Sequence, residues 1–449
     1  MTVHRITDNN PTTRPRSSRM HLFGGDDAHV LEVETGVIRK FDPARAHAVN
    51  LALDLGDTRR AEQMALGSAK KARAPDPLPE TAPLKALSLA VAQKCNLGCS
   101  YCYAQQGTFG GDATAMGAAV AKEAVDRLLD GAQPGGRITL AFMGGEPLTN
   151  RPVLHAATRY AARKGQALGI GVGFSLTTNA TLINPEDVAL FQHYGFALTI
   201  SVDGLQGTHD RLRPFAGGRG SFAQVERALA RLRSVPDREF RLDARVTVTP
   251  FNLDLSEILT GLAGLGFDGV MFSPMLTAPN GRGQMGAAEL NKMLGQLVQC
   301  GQAFLDSLET DRPLPFTNLT MQLKRIHRYQ RDSYPCGAGG GYLGVSAKGT
   351  LHACHRFVDD DAGYLGNVAQ GVDPVAQSNW LRQRNLSAQG DCTSCWARYL
   401  CSGSCHYEVL KRGRPGCDYI RGWLDYCLGV YATLAMRSPD QMLRLLDQP

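Results

Sequence analysis

The stretch "VAQKCNLGCSYCYAQQG" (91–107) places Cys95, Cys99 and Cys102 within eight positions. Cysteines this close bind metal, but a structural zinc site takes four protein ligands. Three thiolates can instead hold three irons of a four-iron cluster and leave the fourth iron open to an external ligand. A zinc site completed by a distant residue is the alternative. A second group is Gly144-Gly145-Glu146-Pro147 in "AFMGGEPLTN". Its glycines permit close backbone approach, and its carbonyls with the Glu146 carboxylate can receive an ammonium group. The plainer reading is a Gly-Gly turn with a solvated Glu. A third group comprises Cys336, Cys354 and Cys392-x2-Cys395-x5-Cys401-x3-Cys405, followed by Cys417 and Cys427. A zinc ribbon of two CxxC knuckles would leave Cys336 and Cys354 unused.

These residues need elements to position them. From 84 to about 275 the chain alternates strand and helix, with strand candidates at 85–92, 137–143, 171–178, 196–203, 240–249 and 269–275. Alternation of this kind predicts a parallel sheet, and six units suit a partial (β/α)6 TIM-like barrel. Chemistry in such folds sits on loops after the C-terminal strand ends. The three-cysteine loop follows the first strand and the Gly-Gly-Glu turn follows the second.

Residues 1–19 read as a disordered polar tail. Residues 20–42 suggest antiparallel strands turning at Gly24–Gly25 and Thr35–Gly36, followed by helices near 43–54 and 58–72 and a Pro-rich linker at 71–83. An amphipathic helix is expected at 287–308. Beyond about 330 the chain is dense in Gly and Cys and closes on a helical stretch, 417–436. The expected domains are a small α+β module and linker (20–83), a barrel (84–320) and a cysteine-rich domain (321–449).

Composition narrows the function. A formal charge of +6 over 449 residues supports no nucleic-acid partner. No window of 18 uninterrupted apolar residues predicts a membrane span, and the N-terminus lacks the apolar core of a secretory signal. A cytoplasmic location is the expectation. In that reducing setting twelve cysteines are metal ligands rather than disulfides.

Taken together, the cysteine spacing and the glycine-rich turn after strand two resemble the radical S-adenosylmethionine superfamily over residues 84 to about 275. The resemblance implies that Cys95, Cys99 and Cys102 hold a catalytic 4Fe-4S cluster whose open iron binds S-adenosyl-L-methionine. It implies that Gly144, Gly145 and Glu146 take the methionyl amine and that Tyr101 lies near the adenine. Asn179, Ser201 and Arg245 lie at strand ends where the family contacts ribose and carboxylate, or are ordinary strand-end polar residues. The later cysteines resemble a SPASM domain, which carries up to two auxiliary 4Fe-4S clusters. Cys336, Cys354 and Cys405 would then bind the first. Cys392, Cys395 and Cys401 would bind the second, with Cys417 preferred over Cys427 because it stands at a helix start. Cys300 and Cys427 read as core thiols.

SPASM proteins commonly modify peptides. "LHACHRFVDDDAGYLGNV" (351–368) looks like the Cys-His-x-Phe-Val segment of thioether-forming maturases, although Asp359 stands where Gly is expected. Sulfatase-maturing relatives carry an acidic residue where this chain has His355, so the thioether branch is favoured here. Carbon–carbon cross-linking, epimerisation, sulfatase-type maturation and a non-catalytic iron–sulfur carrier are the alternatives. His355 and Asp203 are the candidate acid/base groups. The expected partners are a substrate peptide or small subunit with a leader, for which the N-terminal module offers a strand edge, and a low-potential flavodoxin- or ferredoxin-type electron donor.

Overall fold

The computed structural model describes residues 17–25, 27–67, 82–310 and 312–447. Most of the expected tail and linker lie outside these. Contacts divide the described chain into two compact units. One comprises the residues before Pro79 with Ala287–Pro335 and Gln383–Pro449; the other comprises Pro79–Gly286 and Cys336–Arg382. The boundary expected at 320 is therefore not where contacts divide.

The second unit is built on six parallel strands: Ala86–Gln93, Arg137–Gly144, Gly171–Thr178, Ala197–Ser201, Arg241–Val248 and Gly269–Pro274. They pair in chain order, each beside the next. Helices such as Ala118–Asp130 and Phe222–Arg233 connect them, burying Leu128, Leu129, Leu229 and Leu232. The first strand is buried at seven successive positions from Leu87 to Gln93, the pattern of a parallel strand covered on both faces. This is the α/β partial barrel that the alternation predicts.

The sheet does not end at the first strand. Tyr342–Val345 pairs with it in parallel, Tyr342 opposite Ala86 and Val345 opposite Leu89. Antiparallel strands Thr350–His352, Tyr364–Asn367 and Gly371–Val372 extend it further. Gly349 (φ +86°) turns the chain between Tyr342–Val345 and Thr350–His352. Residues 336–382 thus belong with the barrel by hydrogen bonding, although their cysteines resemble those farther along.

In the other unit, Met20–Phe23, His29–Glu32 and Ile38–Lys40 form an antiparallel sheet. Helices Pro43–Asp54 and Thr58–Leu66 follow, capped by the Asp42 and Asp57 carboxylates, which accept from Arg45 N and Arg60 N. Met20, Val30, Val49 and Ala61 close this small core. His21 stacks on Trp396 with ring centroids 3.5 Å apart. Helices Ala287–Ser307 and Cys417–Arg437 approach closely at two glycines. A Cβ on Gly301 would stand 2.4 Å from Tyr426 Oη, and one on Gly422 2.5 Å from Leu294 Cδ2. Cys300 and Cys427 are fully buried in these two helices, as the sequence expects.

Candidate functional site

The loop carrying Cys95, Cys99 and Cys102 leaves the first parallel strand and is clasped by a later segment. Gly98 N donates to Pro214 O (2.8 Å) and Ala216 N to Asn96 O (3.1 Å), while Leu97 and Phe215 form a β-bridge. Burial pushes the Cys95 thiol up to about 11 and the Cys99 thiol up to about 12, and each feels the others' charge. Three thiols grouped on one loop are the donor set for three corners of a four-iron cluster. Among the described residues, no three His, Cys, Asp or Glu side chains converge tightly enough to chelate a single ion. Thiolates that each bind a different iron need no such convergence.

The Gly-Gly turn caps the second strand. Gly144 has φ +145°, and a Cβ there would lie 2.2 Å from Ala92 O; on Gly145 it would lie 2.2 Å from Lys94 O. Gly145 N donates to Ala92 O and Glu146 N to Lys94 O, so the glycines let two strand ends close on one another. The Glu146 carboxylate is bonded within the chain. It is completely enclosed and accepts from Thr178 Oγ1 (2.7 Å), Asn179 N (2.8 Å) and Leu148 N (3.0 Å). Burial pushes its carboxyl up to about 7 against those hydrogen bonds.

Asn179 Nδ2 donates to Asn96 Oδ1 (3.0 Å) and lies 3.8 Å from Cys95 Sγ, so it braces the cysteine loop. Ser201 ends its strand opposite Arg245. Arg245 is exposed, and its positive charge reaches His355. Tyr101 is buried, and its hydroxyl donates to Asp203 Oδ2.

Asp203 is likewise bonded within the chain. It has no exposed surface. Its Oδ2 accepts from Tyr101 and from Arg213 Nε (2.9 Å), and its Oδ1 from Thr247 N (2.9 Å). A carboxylate so committed has no position from which to exchange protons with a substrate. His355 is different. Its Nδ1 is hydrogen-bonded to the Tyr342 hydroxyl (2.8 Å), with Tyr103 edge-on at 6.3 Å. Burial, Arg356 and Arg245 push it down to about 3, so the imidazole is neutral at physiological pH.

Cys336 is exposed and Cys354 buried, and both thiols act on Tyr342. Their expected companion Cys405 belongs to the other unit. Within that unit Cys417, Cys392 and Cys395 act electrostatically on Cys401, Cys395 and Cys417 on Cys392, and Cys395 on Cys417. Cys417 is the first residue of Cys417–Arg437; burial pushes its thiol up, with Arg421 and Arg414 opposing. Cys427, ten residues on, is enclosed, and Asp425 is the charge acting on it.

Sequence reasoning passed over three residues at the site. Arg213 and Thr178 hold Asp203 and Glu146, and Gln93 Nε2 donates to Asp359 Oδ2 (2.6 Å). Asp359 has φ +56°, a left-handed conformation that suits the expected glycine and that Asp tolerates. A polar residue closing an otherwise apolar strand was the available signal for Gln93.

Residues 89–273 match the model of the Radical SAM superfamily. Over 372 residues it is 26% identical to the serine-type anaerobic sulfatase-maturating enzyme of Klebsiella pneumoniae, covering 76% of this chain and 87% of that protein. Its fold is similar to that of native anSMEcpe with bound AdoMet: TM-score 0.67, 19% identity, 80% of this chain and 100% of that one. The same protein with bound AdoMet and Cp18Cys peptide gives TM-score 0.65 at 21% identity, covering 79% and 99%.

Proposed function

We propose that this protein is a radical S-adenosylmethionine enzyme that oxidatively modifies a residue of a peptide or small protein. The observation that carries this reading is the grouped thiol loop beside the Gly144–Gly145 turn, at the C-terminal ends of the first two parallel strands. When bound, a reduced cluster with S-adenosylmethionine supplies a 5′-deoxyadenosyl radical that takes a hydrogen atom from substrate carbon. Cys95, Cys99 and Cys102 would hold that cluster, and the Gly144–Glu146 backbone would face the amino acid end of the cofactor. Cys392, Cys395, Cys401 and Cys417 would hold an auxiliary cluster, and Cys336 and Cys354 would contribute to another. His355 is the group placed to take the substrate's proton, and a bound anion beside it would raise its affinity for that proton.

Similarity to sulfatase-maturating enzymes favours side-chain oxidation to an aldehyde over the thioether cross-link. His355 in the place of an acidic residue is the observation that keeps the thioether as second reading. Anaerobic, iron-reconstituted protein, a low-potential flavodoxin, S-adenosylmethionine and a sulfatase-derived Ser or Cys peptide should yield 5′-deoxyadenosine and a product that hydrazine traps. Loss of an alkylatable thiol with no trapped aldehyde, on a Cys-containing peptide, would transfer the assignment to thioether formation. Absence of both 5′-deoxyadenosine and S-adenosylmethionine binding would leave an iron–sulfur carrier.

A further inference from the structure

Beneath the cysteine loop lies a charged network that the proposed chemistry does not itself use. Asp203, His209 and Ser221 have no exposed surface. Arg213 is held at three points: Nε on Asp203 Oδ2 (2.9 Å), N on His209 O (2.7 Å), and O accepting from Ser221 Oγ (2.5 Å). Ser221 Oγ in turn meets His209 Nε2 at 3.0 Å. The guanidinium stands 5.6 Å from the Tyr101 ring centroid, and the Tyr101 hydroxyl returns to Asp203. The segment after Arg213 is the same one that clasps Asn96 to Gly98.

Fold stability alone does not explain this choice of residues. A buried ion pair is commonly no more stabilising than apolar groups of the same volume, because each charge loses its water. Of the charged neighbours acting on Cys99, Arg213 is the strongest and the only positive one. Asp203, the partner of that guanidinium, opposes it. We propose that Asp203, Arg213 and Tyr101 are positioning residues that set the local charge felt by a cluster on Cys95, Cys99 and Cys102. A cluster becomes more negative on taking up an electron, so a fixed positive charge favours its reduced form and a fixed negative charge opposes it. Tyr101, by donating to Asp203, weakens that carboxylate's opposition. This inference rests on the cluster reading above.

The test is a redox titration of the reconstituted holoenzyme followed by electron paramagnetic resonance. The catalytic cluster is picked out by the change in its signal on adding S-adenosylmethionine. Arg213→Gln should lower the reduced-to-oxidised ratio at fixed solution potential by about tenfold or more, 59 mV for a one-electron couple. Asp203→Asn should raise it, and Arg213→Lys should restore it. Tyr101→Phe removes no charge, so it survives as a test if the other variants fail to fold; it should lower the ratio by about threefold, the scale of one lost hydrogen bond. Opposite signs for Arg213→Gln and Asp203→Asn are the signature, since loosened structure alone moves both alike. Shifts of the same sign, or an unchanged ratio in Tyr101→Phe, would overturn the inference. Wild-type protein that holds no iron at this loop would instead overturn the cluster reading, and the iron count separates the two failures.

Discussion

Glu146→Gln distinguishes an internal anchor from a ligand-binding group. The substitution keeps size and shape but replaces Oε2, which accepts from Asn179 N at 2.8 Å, with an amide that also donates. Two donors then face one another where no water reaches, at a cost of about 1–3 kcal/mol. The comparison depends on pH because the native carboxyl titrates at about 7 and the unfolded one near 4.5. A folded-state value above the unfolded one means that Glu146 contributes its stability in full below 4.5 and loses it as pH rises through 7. The span corresponds to at most about 3 kcal/mol. Urea unfolding should therefore find Glu146→Gln about 1–3 kcal/mol less stable than wild type at pH 5, with the gap closing by pH 8. Calorimetry at pH 8 should find S-adenosylmethionine binding weakened less than tenfold. A variant as stable as wild type at pH 5 that no longer binds the cofactor would refute the anchor and restore the ligand role.

Other outcomes follow from particular contacts. Gly301→Ala drives a methyl against Tyr426 Oη and should cost about 1–3 kcal/mol, read as a lowered thermal midpoint. Cys417→Ser should remove about four irons per chain while Cys427→Ser removes none, checked by iron analysis after reconstitution. His209, pushed down to about 4 by burial and Arg213, contributes stability above its unfolded value near 6.5 that is lost as pH falls towards 4. His209→Gln should accordingly flatten the fall in urea midpoint over that window, by at most about 3 kcal/mol. Asp359→Ala, which keeps the left-handed backbone with a Cβ but lacks the carboxylate, should be about 1 kcal/mol less stable than Asp359→Gly by the same measurement.

The parallel strands were legible because each is a short apolar run set between helical repeats, and their observed limits fall within one residue of the expected ones except at 196–203, where the strand ends two residues early at Ser201. The internal bonding of Glu146 and Asp203 was not legible, because a carboxylate at a strand end looks the same in sequence whether it faces a ligand or its own chain. What decides is the partner. Arg213 lies ten residues away across a short helix, and Thr178 at the end of another strand. Nothing in local spacing announces either. The boundary at 320 followed cysteine density, which reports cluster ligands and says nothing about which backbone a strand pairs with. The separation of Cys417 from Cys427 was readable because a glycine-bounded helix start and an apolar helix interior differ in sequence.

The pairing of Tyr342–Val345 with Ala86–Leu89 has a consequence for how the chain is made. The first barrel strand leaves the ribosome with one edge that its permanent neighbour reaches about 250 residues later, roughly 10–50 s at ordinary rates of synthesis. Through that interval Ala86–Leu89 is an unpaired, wholly apolar edge except for Ser88, the kind of surface on which nascent chains stick together. A gene truncated before residue 342 makes that interval permanent. The C-terminal strands are thus as much the closing stitch of the barrel as the start of the cysteine-rich segment.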